Sequence, residues 1–332
     1  MYYYIGIDIS KTSINVHIAT NKQDLVYDNS IKGFKSLYSK LKKLYKKEID
    51  KIVFIYEPTG SYSETLRKFC FEKQILCFII NPKQFSNYAK ALGAEVKNDI
   101  EDAKVLSKAI VLAKDGEVKI PHYDEDVELI KELMSYYKLL IKQIIQQQNH
   151  LESLGAKEGS KFAINELKKM VKETKVKSNN VLDEIEILIN NNPQYKSDYE
   201  NITSITGVGR ISGIVLLHLF LKYPEANQRQ ITSLAGLNPV YKQSGSSIQS
   251  KYSISKTGSK LYRGTLFMGI MSAVRFDENF KAFYERLLAN HKHTTQAQIA
   301  VMRKVIIIAH SLYKNDKKYD KNYGQSKGNS DD

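Results

Sequence analysis

The chain has almost no cysteine. Cys70 and Cys77 are the only two in 332 residues, and both sit in or beside apolar runs. Two thiols cannot complete a structural zinc site alone, and they suit a reducing cytoplasm. No secretory signal is expected either, since Met1-Tyr2-Tyr3-Tyr4 runs straight into a strand pattern. No run of about eighteen apolar residues occurs, which argues against a transmembrane helix. These absences give the expectation of a cytoplasmic protein with no membrane partner.

The most telling absence is of acid. From Ala226 to Phe276 there is no Asp or Glu, in a chain that holds 36 of them. The same window carries Arg229, Lys242, Lys251, Lys256, Lys260, Arg263 and Arg275. A basic stretch of that length without acid marks a phosphate-facing surface. The whole chain carries a net charge of +14, which points to a polyanionic partner. Nucleic acid is preferred to a membrane, because no polybasic amphipathic helix stands out as an anchor.

What is present supports folded cores, with 42% hydrophobic residues and length for two or three domains. Strand patterns fall at Tyr4–Ile9, at Ile14, Val16 and Ile18, and near Leu25-Val26-Tyr27. Helical spacing follows at Phe34, Leu37, Leu41 and Leu44. Ile52–Tyr56 and Ile75–Ile80 are continuous apolar runs, as strands buried on both faces require. Helices are expected at about 62–72, 83–92 and 98–114. The order β-β-β-α-β-α-β-α predicts a mixed α/β sheet flanked by helices, which is also the RNase H-like order. The expected divisions are 1–120 for this domain, 121–195 for an antiparallel helical, coiled-coil arm, 196–313 for a mostly helical domain, and 314–332 for a disordered tail.

Acids fall where such a sheet forms a site. Asp8 lies in the first strand and Glu57 at the carboxyl end of a buried one. Asp99 and Asp102 share one helical face. Clustered carboxylates repel unless cations occupy them, and oxygen-only ligands select Mg²⁺ or Mn²⁺ over zinc. Equally, such acids cap helices or face water, and Glu95 and Glu101 compete for the role.

Within the acid-free window lies Ser244-Gly245-Ser246-Ser247-Ile248-Gln249-Ser250-Lys251. A serine attacking a phosphodiester needs cations on the non-bridging oxygens, which the window supplies. A Ser/Gly loop that only grips phosphate has the same composition. Upstream, Gly207-Val208-Gly209-Arg210 precedes an apolar run. A Gly-x-Gly turn opening a helix can present N–H groups to phosphate, and it can equally be a plain connection.

Together these segments resemble the DEDD transposases of the insertion-sequence-110 family, which includes the pilin-gene invertases, over nearly the whole chain. Gly6-Ile7-Asp8-Ile9-Ser10-Lys11 resembles the family's opening strand, and Tyr56-Glu57-Pro58-Thr59-Gly60 its Glu motif. Lys97-Asn98-Asp99-Ile100-Glu101-Asp102-Ala103 is similar to its Lys-x-Asp-x-x-Asp-Ala motif. Thr206-Gly207-Val208-Gly209 matches the start of its carboxyl-terminal transposase domain. Gly236-Leu237-Asn238-Pro239, Ser244-Gly245 and Ile254-Ser255-Lys256-Thr257-Gly258 follow its serine region in order and spacing.

The resemblance implies a RuvC-like domain holding Mg²⁺ or Mn²⁺ on Asp8, Glu57, Asp99 and Asp102. It implies Ser244 as nucleophile in DNA recombination through a covalent phosphoserine. It also implies a composite site shared between subunits of a tetramer, and in some members guidance by a bridge RNA. Gly207, Gly209, Arg210, Lys242, Lys251, Lys256, Lys260 and Arg263 are the expected nucleic-acid contacts. Tyr252 stands where a Gly is common and serines crowd the segment, so Ser246 and Ser247 stay open as alternatives. Two rival readings remain: a junction nuclease using water on the acids alone, and an inactive nucleic-acid scaffold.

Overall fold

A computed structural model describes residues 2–93, 98–240, 243–244, 248–249, 253–258 and 260–322. The chain divides into two compact units, Met1–Tyr123 and Asp124–Asp332.

In the first unit, β1 (Tyr3–Ile9), β2 (Ser13–Ile18) and β3 (Gln23–Asp28) form an antiparallel meander. Helix α1 (Ile31–Tyr45) follows, capped by the Ser30 side chain, which accepts from the Gly33 N–H. Strand β4 (Ile52–Tyr56) joins β1 in parallel, α2 (Glu64–Glu72) crosses over, and β5 (Leu76–Ile79) joins β4 in parallel. The sheet order is β3-β2-β1-β4-β5. Helices α3 (Pro82–Ala91) and α4 (Asp99–Lys108) complete the unit.

Period-two alternation gives this sheet two apolar faces. Ile5, Ile7, Ile9, Phe54 and Tyr56 pack with Phe34, Leu37 and Leu41 of α1 and Phe69 of α2. Val53 and Ile55 point the other way, toward Phe85 of α3 and Leu106 of α4. All five residues of β4 are therefore buried, as its unbroken apolar run predicts.

The second unit begins with two long helices, α5 (Glu125–Ala156) and α6 (Lys161–Asn191). There follow α7 (Pro193–Thr203), α8 (Arg210–Lys222) and α9 (Gln228–Leu234), then four two-residue strands, β6 (Pro239–Val240), β7 (Gln243–Ser244), β8 (Ile248–Gln249) and β9 (Ser253–Ile254). Strand β6 pairs with β9 and β7 with β8, both antiparallel. Helices α10 (Lys260–Phe276), α11 (Glu278–Ala289) and α12 (Thr294–Asn315) close the unit.

Two expectations need correcting. The helix pair is not a separate body, because Val127, Ile130, Met134 and Ile185 share one core with Phe220, Ile270 and Val305. The segment from 314 is not a disordered tail through Asn322. Helix α12 runs to Asn315, the Tyr319 ring stacks on Phe280 at 6.1 Å, and the Tyr319 hydroxyl donates to Asp277 at 3.1 Å. Asn201 donates to the Asp316 carboxylate at 2.7 Å. One aromatic ring and a few polar contacts anchor this segment, and neither leaves an apolar period in the sequence.

Candidate active site

Two backbone features gather the four acids. Asp8 sits on β1 with the parity of Gly6, opposite the Ile5-Ile7-Ile9 face. The parallel register runs Tyr3↔Ile52 to Ile7↔Tyr56, so one further step sets Glu57 beside Asp8 at the carboxyl ends of two central strands. The second feature is Gly6. A Cβ there would lie 2.0 Å from the Ala103 carbonyl oxygen and 2.5 Å from the Ser107 nitrogen. Only a glycine lets α4 lie directly on β1. That contact brings the first turn of α4, with Asp99 and Asp102, toward Asp8.

Electrostatics records the convergence. The Asp8 carboxyl is pushed up to about 6, first by burial, then by Asp99 and Asp102, with a smaller push from Glu57. The first turn of α4 tolerates its acids because negative charge is favourable at a helix N-terminus, and Asn98 caps that end by accepting from the Glu101 N–H. Glu101 turns away to Lys104 at 2.8 Å. Glu95 lies outside the described residues.

Among the described residues, no three His, Cys, Asp or Glu side chains stand close enough to grip one metal ion. The acids thus meet as a field of like charge rather than as a formed chelate. The donor chemistry fits a hard divalent cation, since every side chain offers oxygen and the raised Asp8 carboxyl is the strain a cation would relieve.

Strand β2 adds neighbours that sequence reasoning missed. Asn15 stands opposite Asp8 and His17 opposite Gly6, both buried. His17 Nδ1 is 2.7 Å from Asp24, and Lys104 bridges Asp24 at 3.6 Å to Glu101. The His17 bond is the main reason the Asp24 carboxyl titrates below its ordinary range. In the sequence, the alternation of Ser13, Asn15 and His17 with Ile14, Val16 and Ile18 reads as a strand with one solvent-facing side, and it is α4 lying over β2 that buries that side.

The serine segment lies in the second unit. The Ser244 backbone pairs with Ile248 across β7 and β8. Ser246, Ser247, Lys242, Lys251 and Tyr252 lie outside the described residues. Two glycines fasten the base of this hairpin region. A Cβ on Gly258 would lie 1.8 Å from the Leu234 carbonyl oxygen, and Gly236 adopts φ +69° beside Arg263. Lys256 is exposed, with φ +55°, and its N–H donates to the Gly236 carbonyl at 3.1 Å. Lys260 is exposed at the start of α10.

Three expected phosphate contacts have structural work that the sequence did not reveal. Arg263 Nη1 donates to the carbonyls of Ala235 at 3.1 Å and Gly258 at 2.7 Å, a clamp on the serine region's base. Arg210 is held by Glu186 at 2.7 Å and Asp183 at 2.5 Å, so its charge is largely matched within the chain. Gly207, with φ +86°, takes the close approach of α10, where a Cβ would lie 2.4 Å from the Ala273 nitrogen. Gly209 caps α8, and a Cβ there would meet open space.

Comparison with known proteins matches both units. Residues 5–154 fit the family model of a DEDD transposase of the IS110 type, and residues 199–285 fit that of the IS116/IS110/IS902 transposase family. The chain is 28% identical over 326 residues to a pilin gene-inverting protein of Moraxella bovis, covering 96% of this chain and 98% of that protein. It is 27% identical over 326 residues, with the same coverage, to a pilin gene-inverting protein of Moraxella lacunata. Two family models in the family's order, and relatives alike from end to end, lead to one conclusion: the chain belongs to the IS110 family of transposases and is a DNA transposase or recombinase.

Proposed function

We propose that the chain cuts and rejoins DNA through a covalent serine intermediate, with an RNase H-like, RuvC-like first unit contributing the acids. The observation that carries this is the raised carboxyl of Asp8, among Asp99, Asp102 and Glu57 at the ends of two parallel strands. Asp8, Glu57, Asp99 and Asp102 would hold Mg²⁺ or Mn²⁺, which supplies charge stabilisation at a phosphodiester's oxygens. Ser244 is the nucleophile, and exposed Lys256 and Lys260 steady the phosphate.

The step balances without an outside energy source. The bond from serine oxygen to phosphorus forms as one phosphorus–oxygen bond to a deoxyribose breaks, and the proton leaving the serine is matched by one reaching the departing sugar oxygen. The reverse attack, by another strand's sugar hydroxyl, releases the serine and seals the new junction. Acting on two oppositely oriented sites in one molecule, the same exchange inverts the DNA between them. Inversion is favoured by the relatives, which are pilin gene-inverting proteins. Guidance by a bridge RNA and a composite site in a tetramer belong to the same proposal.

Trapping tests it. Denaturing a reaction on labelled DNA and mapping the modified peptide by mass spectrometry is expected to find DNA on Ser244, and Ser244→Ala to lose cleavage while keeping DNA binding. An adduct on Ser246 or Ser247 moves the nucleophile. Free hydroxyl ends with no adduct point to a water-using junction nuclease instead.

A further inference from the structure

The acid-free window has a counterpart in the first unit. From Asn29 to Lys47 there are seven lysines and no acid. Most of the stretch is α1, whose inner face of Phe34, Leu37 and Leu41 is spent on the sheet. Its outer face carries exposed Lys32, Lys35 and Lys43, with Ser36 and Ser39 between them, around a shallow open depression. Among the described residues none of these lysines forms an ion pair; the acids that bound the stretch are Asp28 and Glu48, and Glu48 takes Lys51 at 2.7 Å.

A helix face of one sign is unusual, since solvated faces mix charges. Helix α6 does so, alternating Lys168, Lys169 and Lys172 with Glu166 and Glu173. The span from Lys32 to Lys43 is about 16 Å at the helical rise, enough to follow several phosphates of one strand. A membrane is the poorer fit, because interfacial helices bury their apolar face in lipid and that of α1 is committed to the core. Face assignment adds one constraint. Helix α1 covers the Ile5-Ile7-Ile9 side of the sheet, whereas Asp8 lies on the α4 side.

We propose that the outer face of α1, through Lys32, Lys35 and Lys43, binds the phosphate backbone of duplex DNA away from the segment being cut. The proposal rests on the nucleic-acid role given above. DNA is the occupant, because the substrate of a transposase continues beyond the cut and its backbone complements a face of one charge. Ser39 adds a donor between the lysines, whereas the Ser36 hydroxyl is spent on the Lys32 carbonyl at 3.1 Å.

The test is the salt dependence of binding by the full-length protein, with a short DNA duplex of arbitrary sequence and an RNA duplex of equal length. The variants are Lys32→Gln with Lys35→Gln and Lys43→Gln, and separately Lys260→Gln in the acid-free window. Glutamine keeps helix propensity and all three lysines are exposed, so unchanged melting temperature certifies the fold. Each phosphate contact contributes about 0.9 to the slope of log affinity against log salt, so the triple variant is expected to lose about 2 to 3. Loss on the DNA duplex, with or without loss on RNA, supports the proposal, and loss on the RNA duplex alone overturns it in favour of a folded RNA. An unchanged slope on both duplexes, with Lys260→Gln lowering its own, overturns this proposal and leaves the proposed function standing. Slopes near zero for every form, wild type included, overturn both. Wild-type binding to phosphatidylserine vesicles in place of either duplex, lost in the triple variant, overturns it in favour of a membrane.

Discussion

Asp8 shows how a single carboxyl carries both strain and function. Its unfolded value is near 3.8 and its folded value about 6. A carboxyl raised on folding contributes fully below the unfolded value, and that contribution is lost as pH rises through about 6. Metal-free wild type is therefore penalised above pH 6, by on the order of 1–3 kcal/mol. Asp8→Asn carries no charge there. In urea unfolding with chelator present, the variant is expected to exceed wild type at pH 7.5 and to lose most of that margin at pH 4.5. A gap equal at both pH values would show that Asp8 is not strained. Added Mg²⁺ should raise the melting temperature of wild type and not of Asp8→Asn, because relief of repulsion is what the cation supplies.

At the scale of elements, the seat of α4 on β1 decides the site. Gly6→Ala must push the Ala103 carbonyl away from 2.0 Å, and overpacking of this kind costs about 1–3 kcal/mol. It should also withdraw Asp99 and Asp102, letting the Asp8 carboxyl fall toward its ordinary value. NMR titration of the Asp8 carboxyl in Gly6→Ala reads that effect directly; an undisplaced value alongside lost stability would confine Gly6 to packing. Elements were legible where one force dominates. The alternation of β1 and the unbroken run of β4 show in the letters because a sheet face needs them. The buried Asn15 and His17 of β2 were not legible, since an alternating polar residue reads as solvent-facing until α4 is seen to lie over it.

For the whole molecule, the outer parts of α5 and α6 leave Leu139 50%, Ile145 52% and Phe162 77% exposed. Apolar surface on a long helix pair favours association of copies. Light scattering on the purified protein, alone and with DNA, is expected to show dimers or tetramers. Leu139→Lys with Ile145→Lys should shift the mass toward monomer without unfolding, since neither side chain lies in the core. A monomer in every state would refute assembly through these helices.

The sequence alone determined the strand and helix order, the residues that carry the family motifs, and the surplus of positive charge, because period, motif spacing and composition are local properties. Which acids face one another depended on the tertiary structure. Asp99 and Asp102 lie some ninety residues from Asp8 and reach it only through the contact at Gly6. Tertiary structure also decided which cations are free: Arg210 and Arg263 are drawn onto partners in their own unit, while the lysines of α1 keep to the surface. The physical reason is the same in both cases. A charge's partners are set by distance in space, and that distance exists only once the hydrophobic faces have chosen which helices lie on which side of the sheet.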